Sequence, residues 1–265
     1  MDKFITVNDV RLRVVDQGEG APALVFLHYW GGSASTWAPL IAALGSGRRS
    51  IALDQRGWGQ SDAPASYALA DMAEDAQGVI AALGLERYVL IGHSMGGKVA
   101  QLLASRCPTG LAGLVLVAPS PPTPLGLPLE VRQGMVHAYD SRESVIATVQ
   151  HALTGTPLNP EQLEQVIADS LAGSAPARKA WPMATSQENI AEQVAHIAVP
   201  VLVIAGEQDR VDPPAVLEQE LLPHIKQARM HVLPGVGHLS PVEAPEALAS
   251  LIRDFVETLA VTSAA

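Results

Sequence analysis

The chain has 265 residues, 48% of them hydrophobic, enough to bury a substantial core in one large domain or in a domain carrying an insertion. Seventeen Lys and Arg against 27 Asp and Glu give a net charge of -10, which opposes binding to nucleic acid or anionic lipid and points to a neutral or small partner. Cys107 is the only cysteine, excluding a disulfide scaffold; Met1 to Asp9 lacks the marks of a signal peptide and no run reaches membrane-spanning length, so a soluble cytoplasmic protein is expected.

In chain order, Phe4 to Val7 and Val10 to Val15 are expected to pair as a hairpin across Asn8-Asp9. Further short, β-branched runs predict buried strands at Ala23 to Leu27, Ser50 to Leu53, Tyr88 to Ile91, Leu114 to Ala118, Val201 to Ala205 and Met230 to Leu233. Gly18 to Ala23 superficially fits a dinucleotide-binding fingerprint, but a strand rather than a helix follows it. Leu69, Met72, Ala73, Ala76, Val79, Ile80 and Leu83 form one helical stripe. Strands alternating with helices predict an α/β fold with a mostly parallel central sheet.

The alternation stops after Ala118. Pro119, Pro121, Pro122, Pro124 and Pro128 prevent a regular helix or central strand and mark an exit from the sheet. From about Leu129 to Ala195 only helical patterns occur, and strands resume at Pro200. The expected organisation is a core in two parts, residues 1–120 and 197–265, with a helical cap inserted at 121–196. A small-residue tail, Ala260 to Ala265, closes the chain.

The chemistry centres on Gly92-His93-Ser94-Met95-Gly96, directly behind the strand Tyr88 to Ile91. A serine between two glycines at a strand-to-helix turn is a candidate nucleophile: the sharp turn strains the serine backbone and brings its flanks so close that side chains at 92 and 96 would collide. Gly97 to Ala104 reads as a helix whose N-terminus favours an oxyanion at Ser94. A serine hydroxyl needs a base, and the base a group that fixes its tautomer. Among eight histidines, His238 alone follows the last strand on a Gly-rich loop, Gly235-Val236-Gly237. His231 falls inside a strand, His137, His151 and His196 in the cap, and His93 on the serine turn, aimed elsewhere. For the acid, Asp209 is favoured in the turn after Pro200 to Ala205, with Glu207 and Asp212 as competitors. One oxyanion donor is expected at the Met95 amide. The other falls on Tyr29 or Trp30 in the loop after His28, with Trp30 preferred. Asp54 to Ser61 reads as turn chemistry with Arg-Asp pairing.

These residues resemble the α/β-hydrolase superfamily along nearly the whole chain. Gly92 to Gly96 is similar to its nucleophile elbow, Gly206 to Asp209 to its acid loop, Gly237-His238 to its histidine loop, and Asp54 to Ser61 to its D-x-R-G-x-G-x-S loop; residues 121–196 correspond to its variable cap. Tyr29 departs from the glycine that many relatives carry after the histidine of the oxyanion loop. The resemblance implies acyl transfer by Ser94, His238 and Asp209, without cofactor or metal, on a small-molecule ester. Aspartate would be expected at 94 in a dehalogenase or epoxide hydrolase. Lactonases, cofactor-free perhydrolases and carbon-carbon bond hydrolases share the serine triad, and a small-ligand receptor with vestigial activity is the reading of another class. The cap has eight acidic and four Lys or Arg residues, arguing against a polyanionic substrate. Expected substrate contacts are Tyr29, Tyr139, Trp181 and Leu239, with Leu125, Leu127, Met135 and Met183 as further candidates for an apolar acyl pocket. The oligomeric state is not legible in the sequence.

Overall fold

The computed structural model describes residues 2–262; residues 263–265 of the small-residue tail lie outside them. Among the described residues, the strands are β1 (Asp2–Val7), β2 (Val10–Gln17), β3 (Ala23–Leu27), β4 (Ser50–Leu53), β5 (Tyr88–His93), β6 (Leu111–Val117), β7 (Val201–Gly206) and β8 (Ala228–Leu233). They form one sheet in the order β1-β2-β4-β3-β5-β6-β7-β8. β1 and β2 pair antiparallel across Asn8 and Asp9, whose φ values of 48° and 64° suit a tight hairpin turn. β2 also runs antiparallel to β4, and every pairing from β4 to β8 is parallel.

β3 and β4 keep their expected bounds; β1, β2, β7 and β8 run one or two residues longer at one end, and β5 and β6 differ beside the site. β5 continues past Ile91 because Gly92 and His93 still pair with Leu116 and Val117 of β6. β6 starts earlier, at Leu111, and stops before Ala118, which turns the chain at φ 40°.

Helices α1 (Ala38–Leu44), α2 (Leu69–Ala82) and α3 (Met95–Ser105) alternate with the early strands. Between β6 and β7 lie only helices: α4 (Leu129–Met135), α5 (Arg142–Thr148), α6 (Pro160–Ala172), α7 (Ala175–Met183) and α8 (Ala191–Val194), with short irregular turns of helix between them. α9 (Pro214–Glu220) joins β7 to β8, and α10 (Ser240–Glu243) and α11 (Pro245–Thr262) follow. The central strands are apolar throughout because both faces are covered. Leu24, Phe26, Ile91 and Val115 pack against Trp37 and Leu40 beside and within α1 and Leu248, Ile252 and Val256 of α11. Val25, Leu27, Leu90 and Leu116 face Met72 and Val79 of α2 and Val99 and Leu103 of α3.

The helical segment between β6 and β7, here the cap, is closed at its base. Leu125 N–H donates to the Ser186 carbonyl (3.0 Å) and Ile190 N–H to the Pro122 carbonyl (2.9 Å), so its two ends lie side by side. Lys98 of α3 is buried beneath them and donates from Nζ to the Thr123 (2.8 Å) and Ser186 (3.2 Å) carbonyls. Burial lowers its ammonium to about 8. A lone lysine in a helix otherwise made of small and apolar residues, Met95 to Ala104 with Gln101, is the one sequence signal for this anchor.

Candidate active site

β3, β5, β6, β7 and β8 run parallel, so the loops after them collect at one edge of the sheet, where ligands bind in open α/β folds. His28 follows β3, Ser94 follows β5, Ser120 lies just beyond β6, Asp209 follows β7 and His238 follows β8.

Ser94 sits between β5 and α3 at φ 51° and ψ -114°, a conformation rare for a residue with a side chain. The flanking glycines permit it because a side chain at either would strike backbone: at 92 that of Gly96 itself, at 96 that of β3 and its following loop. A β-carbon on Gly92 would lie 2.4 Å from the Gly96 carbonyl oxygen, and one on Gly96 would lie 2.3 Å from the Leu27 carbonyl oxygen. Backbone packed on backbone cannot yield cheaply. Gly92→Ala is therefore expected to destabilise the protein by about 2–3 kcal/mol, read from urea unfolding, and an unchanged midpoint would show that the turn opens at no cost.

His238 is buried, and its Nδ1 bonds Asp209 Oδ2 at 2.8 Å. The other Asp209 oxygen accepts from the Val211 (2.8 Å) and Asp212 (3.0 Å) amides. Burial pulls the His238 imidazolium down, but the charge and hydrogen bond of Asp209, helped by Asp212 and Glu243, leave it raised above its ordinary value. Burial pushes the Asp209 carboxyl up, and His238 with the two amides brings it below its ordinary value. The partner selects the tautomer: with Nδ1–H directed at Asp209, Nε2 is the nitrogen left to accept a proton.

Three groups hold the site in roles the sequence does not announce: His93 and Asp212, weighed there only as an alternative base and acid, and Glu243, which has no sequence signal. His93, directly before Ser94, bonds the His238 carbonyl through Nε2 at 2.8 Å, and the two rings lie 5.1 Å apart. Asp212 is buried at hydrogen-bond range of Ser120 Oγ, 3.4 Å, and burial pushes its carboxyl up to about 7. Glu243 takes the Gly155 (2.8 Å), Thr156 (3.1 Å) and Gly237 (3.2 Å) amides on one carboxylate oxygen, tying the cap to the histidine loop. No sequence pattern announces such a group; an acid on a short surface helix reads as solvated.

Ser94, Ser120 and His238 line a cavity of about 550 Å³ beneath the cap. Its walls include Tyr29, Trp30, Tyr139 and Trp181 together with Leu125, Leu127, Val131, Met135 and Leu153; Arg210 and His137 are its charged or titratable rim. Leu239 does not belong to the lining: it is fully buried, and its N–H donates to the Leu153 carbonyl at 2.9 Å, which turns the residue into a brace between histidine loop and cap. Met183 is likewise outside the wall. A larger groove, about 780 Å³ between β8 and α11, contains none of these residues.

The Asp54 to Ser61 loop is structural. Asp54 accepts from the Ala34 (2.7 Å) and Gln60 (2.9 Å) amides and from Arg13 (3.2 Å), and Arg56 forms a two-pronged pair with Asp75 of α2 at 2.6 and 2.8 Å. Among the described residues, no group of three or more His, Cys, Asp or Glu side chains could hold a metal ion, and no helix is long and apolar enough to cross a membrane.

A serine at a strained strand-to-helix turn, a buried histidine-acid pair and a parallel sheet capped by helices define an α/β hydrolase, and the chain belongs to that family: residues 22–245 match the alpha/beta hydrolase fold family. It is thus an enzyme of the hydrolase type. It is 30% identical to a non-heme haloperoxidase of Rhodococcus erythropolis, over 96% of this chain and 99% of that one. It is 27% identical to 3-oxoadipate enol-lactonase 1 of Acinetobacter baylyi, over 91% of both. The esterase EaEST of Exiguobacterium antarcticum shares the fold with a TM-score of 0.89 at 24% identity, over 97% of this chain and 100% of that one.

Proposed function

We propose that this enzyme cleaves small, fairly apolar carboxylic esters through an acyl-enzyme intermediate on Ser94. One observation carries the reading: a buried histidine, oriented by Asp209 at 2.8 Å, shares the wall of an apolar cavity with a serine on a strained turn. Ser94 Oγ attacks the ester carbonyl carbon as its proton passes to His238 Nε2. The carbon-oxygen bond to the alcohol then breaks, and His238 returns the proton to the leaving oxygen. Water adds to the acyl carbon by the same route, and Ser94 regains its proton as the carboxylic acid leaves. Asp209 holds the tautomer and stabilises the imidazolium.

The developing oxyanion takes the Met95 and Trp30 amides. Met95 is the first residue of α3, where an N–H has no acceptor within the helix. Two carbonyl directions favour Trp30 over Tyr29, because a trans peptide points its N–H opposite to its C=O. The His28 carbonyl faces Gly96, 2.6 Å from where a β-carbon would sit, so the Tyr29 N–H in that peptide turns away from α3. The Tyr29 carbonyl is held within its own loop by Gly32 N–H (3.0 Å) and His28 Nδ1–H (2.7 Å), which leaves the Trp30 N–H on the opposite side.

The apolar lining of Tyr29, Tyr139, Trp181 and their aliphatic neighbours favours uncharged acyl chains. Lactones are the second reading, favoured by the enol-lactonase relative: a lactone is a cyclic ester, and the same attack opens it. A single cysteine suits a reducing, cytoplasmic setting. The test is hydrolysis of p-nitrophenyl esters from acetate to decanoate, with an optimum expected between butyrate and octanoate, and mass-spectrometric mapping of a phosphonate label to Ser94. Lactone opening without ester hydrolysis would transfer the assignment to lactones. Tight ligand binding with neither activity would make the protein a receptor.

A further inference from the structure

The cap holds the loop that follows β3 from above. Tyr139 Oη donates to the Trp30 carbonyl at 2.9 Å, Ser170 Oγ donates to the Gly31 carbonyl at 3.0 Å, and in return Trp30 Nε1 donates to the Arg178 carbonyl at 3.2 Å. These contacts lock together by shape as well. Tyr139 is 1% exposed, and its ring centroid lies 4.4 Å from that of Trp30. Gly31 adopts φ 102°, and a β-carbon there would come within 2.6 Å of the Tyr139 ring. The Tyr139 carbonyl is itself gripped by the Arg178 guanidinium, so the tyrosine is anchored at both ends.

We propose that Tyr139 is a positioning residue for the oxyanion site, holding the Trp30 backbone from the cap so that its N–H is aimed at the oxygen that becomes negative; this rests on the ester-hydrolase reading above. The peptide before Trp30 is pinned through the Tyr29 carbonyl by Gly32 and His28. The peptide after it is pinned through the Trp30 carbonyl by Tyr139. With both planes fixed, Trp30 cannot rock and its amide needs no rearrangement when charge develops, the condition under which such donors accelerate a reaction most. Without the Tyr139 hydroxyl the second plane loses its direct restraint, and small misplacements of a donor are costly to turnover. The cap is then more than a wall: it completes the donor set from outside the sheet.

Tyr139→Phe tests this because it keeps the ring against Trp30 and deletes only the hydroxyl. Turnover of the best p-nitrophenyl ester is expected to fall about ten- to thirty-fold while KM stays within about twofold. Affinity for a trifluoromethyl ketone, which adds to Ser94 and places an oxyanion in the same position, should fall by the same factor as kcat/KM. A merely structural role would raise KM, alter the near-ultraviolet circular dichroism and break that proportionality. Turnover within twofold of wild type, or a lower turnover with unchanged ketone affinity, overturns the proposal. Ser170→Ala, which loosens the neighbouring carbonyl, is the second variant. It should show the same split at about three- to tenfold, and if Tyr139→Phe does not fold, an unchanged kcat in Ser170→Ala overturns the proposal instead. If Ser94→Ala retains wild-type hydrolysis and the ketone does not add to the wild type, the hydrolase reading itself has failed and the Tyr139 proposal falls with it.

Discussion

Replacing Ser94 by alanine is expected to reduce p-nitrophenyl butyrate turnover by about 10⁴-fold or more, while leaving the unfolding midpoint within about 0.5 kcal/mol of wild type. The loss is large because the serine supplies the bond-forming atom; the Met95 and Trp30 amides that remain stabilise a tetrahedral oxygen only when something has attacked the carbonyl. The stability change is small because alanine meets the same backbone strain at φ 51° that serine does and loses only one hydroxyl. Activity within tenfold of wild type would remove Ser94 from the mechanism and leave its strained turn without a purpose. Steady-state kinetics on a preparation free of host esterases, alongside urea unfolding, decides it.

Asp209→Asn is expected to lower kcat by about 10³- to 10⁴-fold and to move the pH profile as well. Hydrolysis needs neutral His238, so kcat/KM falls as pH drops through its titration. In the wild type that acid limb should lie above 6.5, because Asp209 raises the imidazolium against the downward pull of burial. With the carboxylate gone, burial weighs more heavily and the limb of the residual activity should shift to lower pH. Asp212 and Glu243 still favour the cation, so Asp209→Asn/Asp212→Asn should move it further in the same direction. An acid limb that stays in place in Asp209→Asn would mean that another acid orients the base.

The strained turn at Ser94 and the paired His238 and Asp209 are legible because each is written in a few consecutive residues beside a strand. Gly92 to Gly96 follows an apolar β-branched run, Gly237-His238 follows the last strand, and Asp209 ends a turn behind β7. The Asn8-Asp9 hairpin was legible for the same reason: residues tolerant of positive φ separate two apolar segments. Leu239, expected at the substrate, instead packs between histidine loop and cap, a placement that no local pattern of residues distinguishes from a cavity wall.

Sequence alone determined the strand-helix alternation, the strand ends behind which Ser94, Asp209 and His238 lie, and the place where the sheet is interrupted, since hydrophobic periodicity and turn residues act over a handful of neighbours. Tertiary structure alone decided what the cap does. Lys98 anchors Thr123 and Ser186, Glu243 gathers Gly155, Thr156 and Gly237, and Tyr139 reaches Trp30 across 109 positions of chain. Short helices joined by irregular turns carry no register that would fix such pairs in advance. Their partners are backbone carbonyls and amides, which every residue offers, so only the packed fold selects which of them a buried side chain must satisfy.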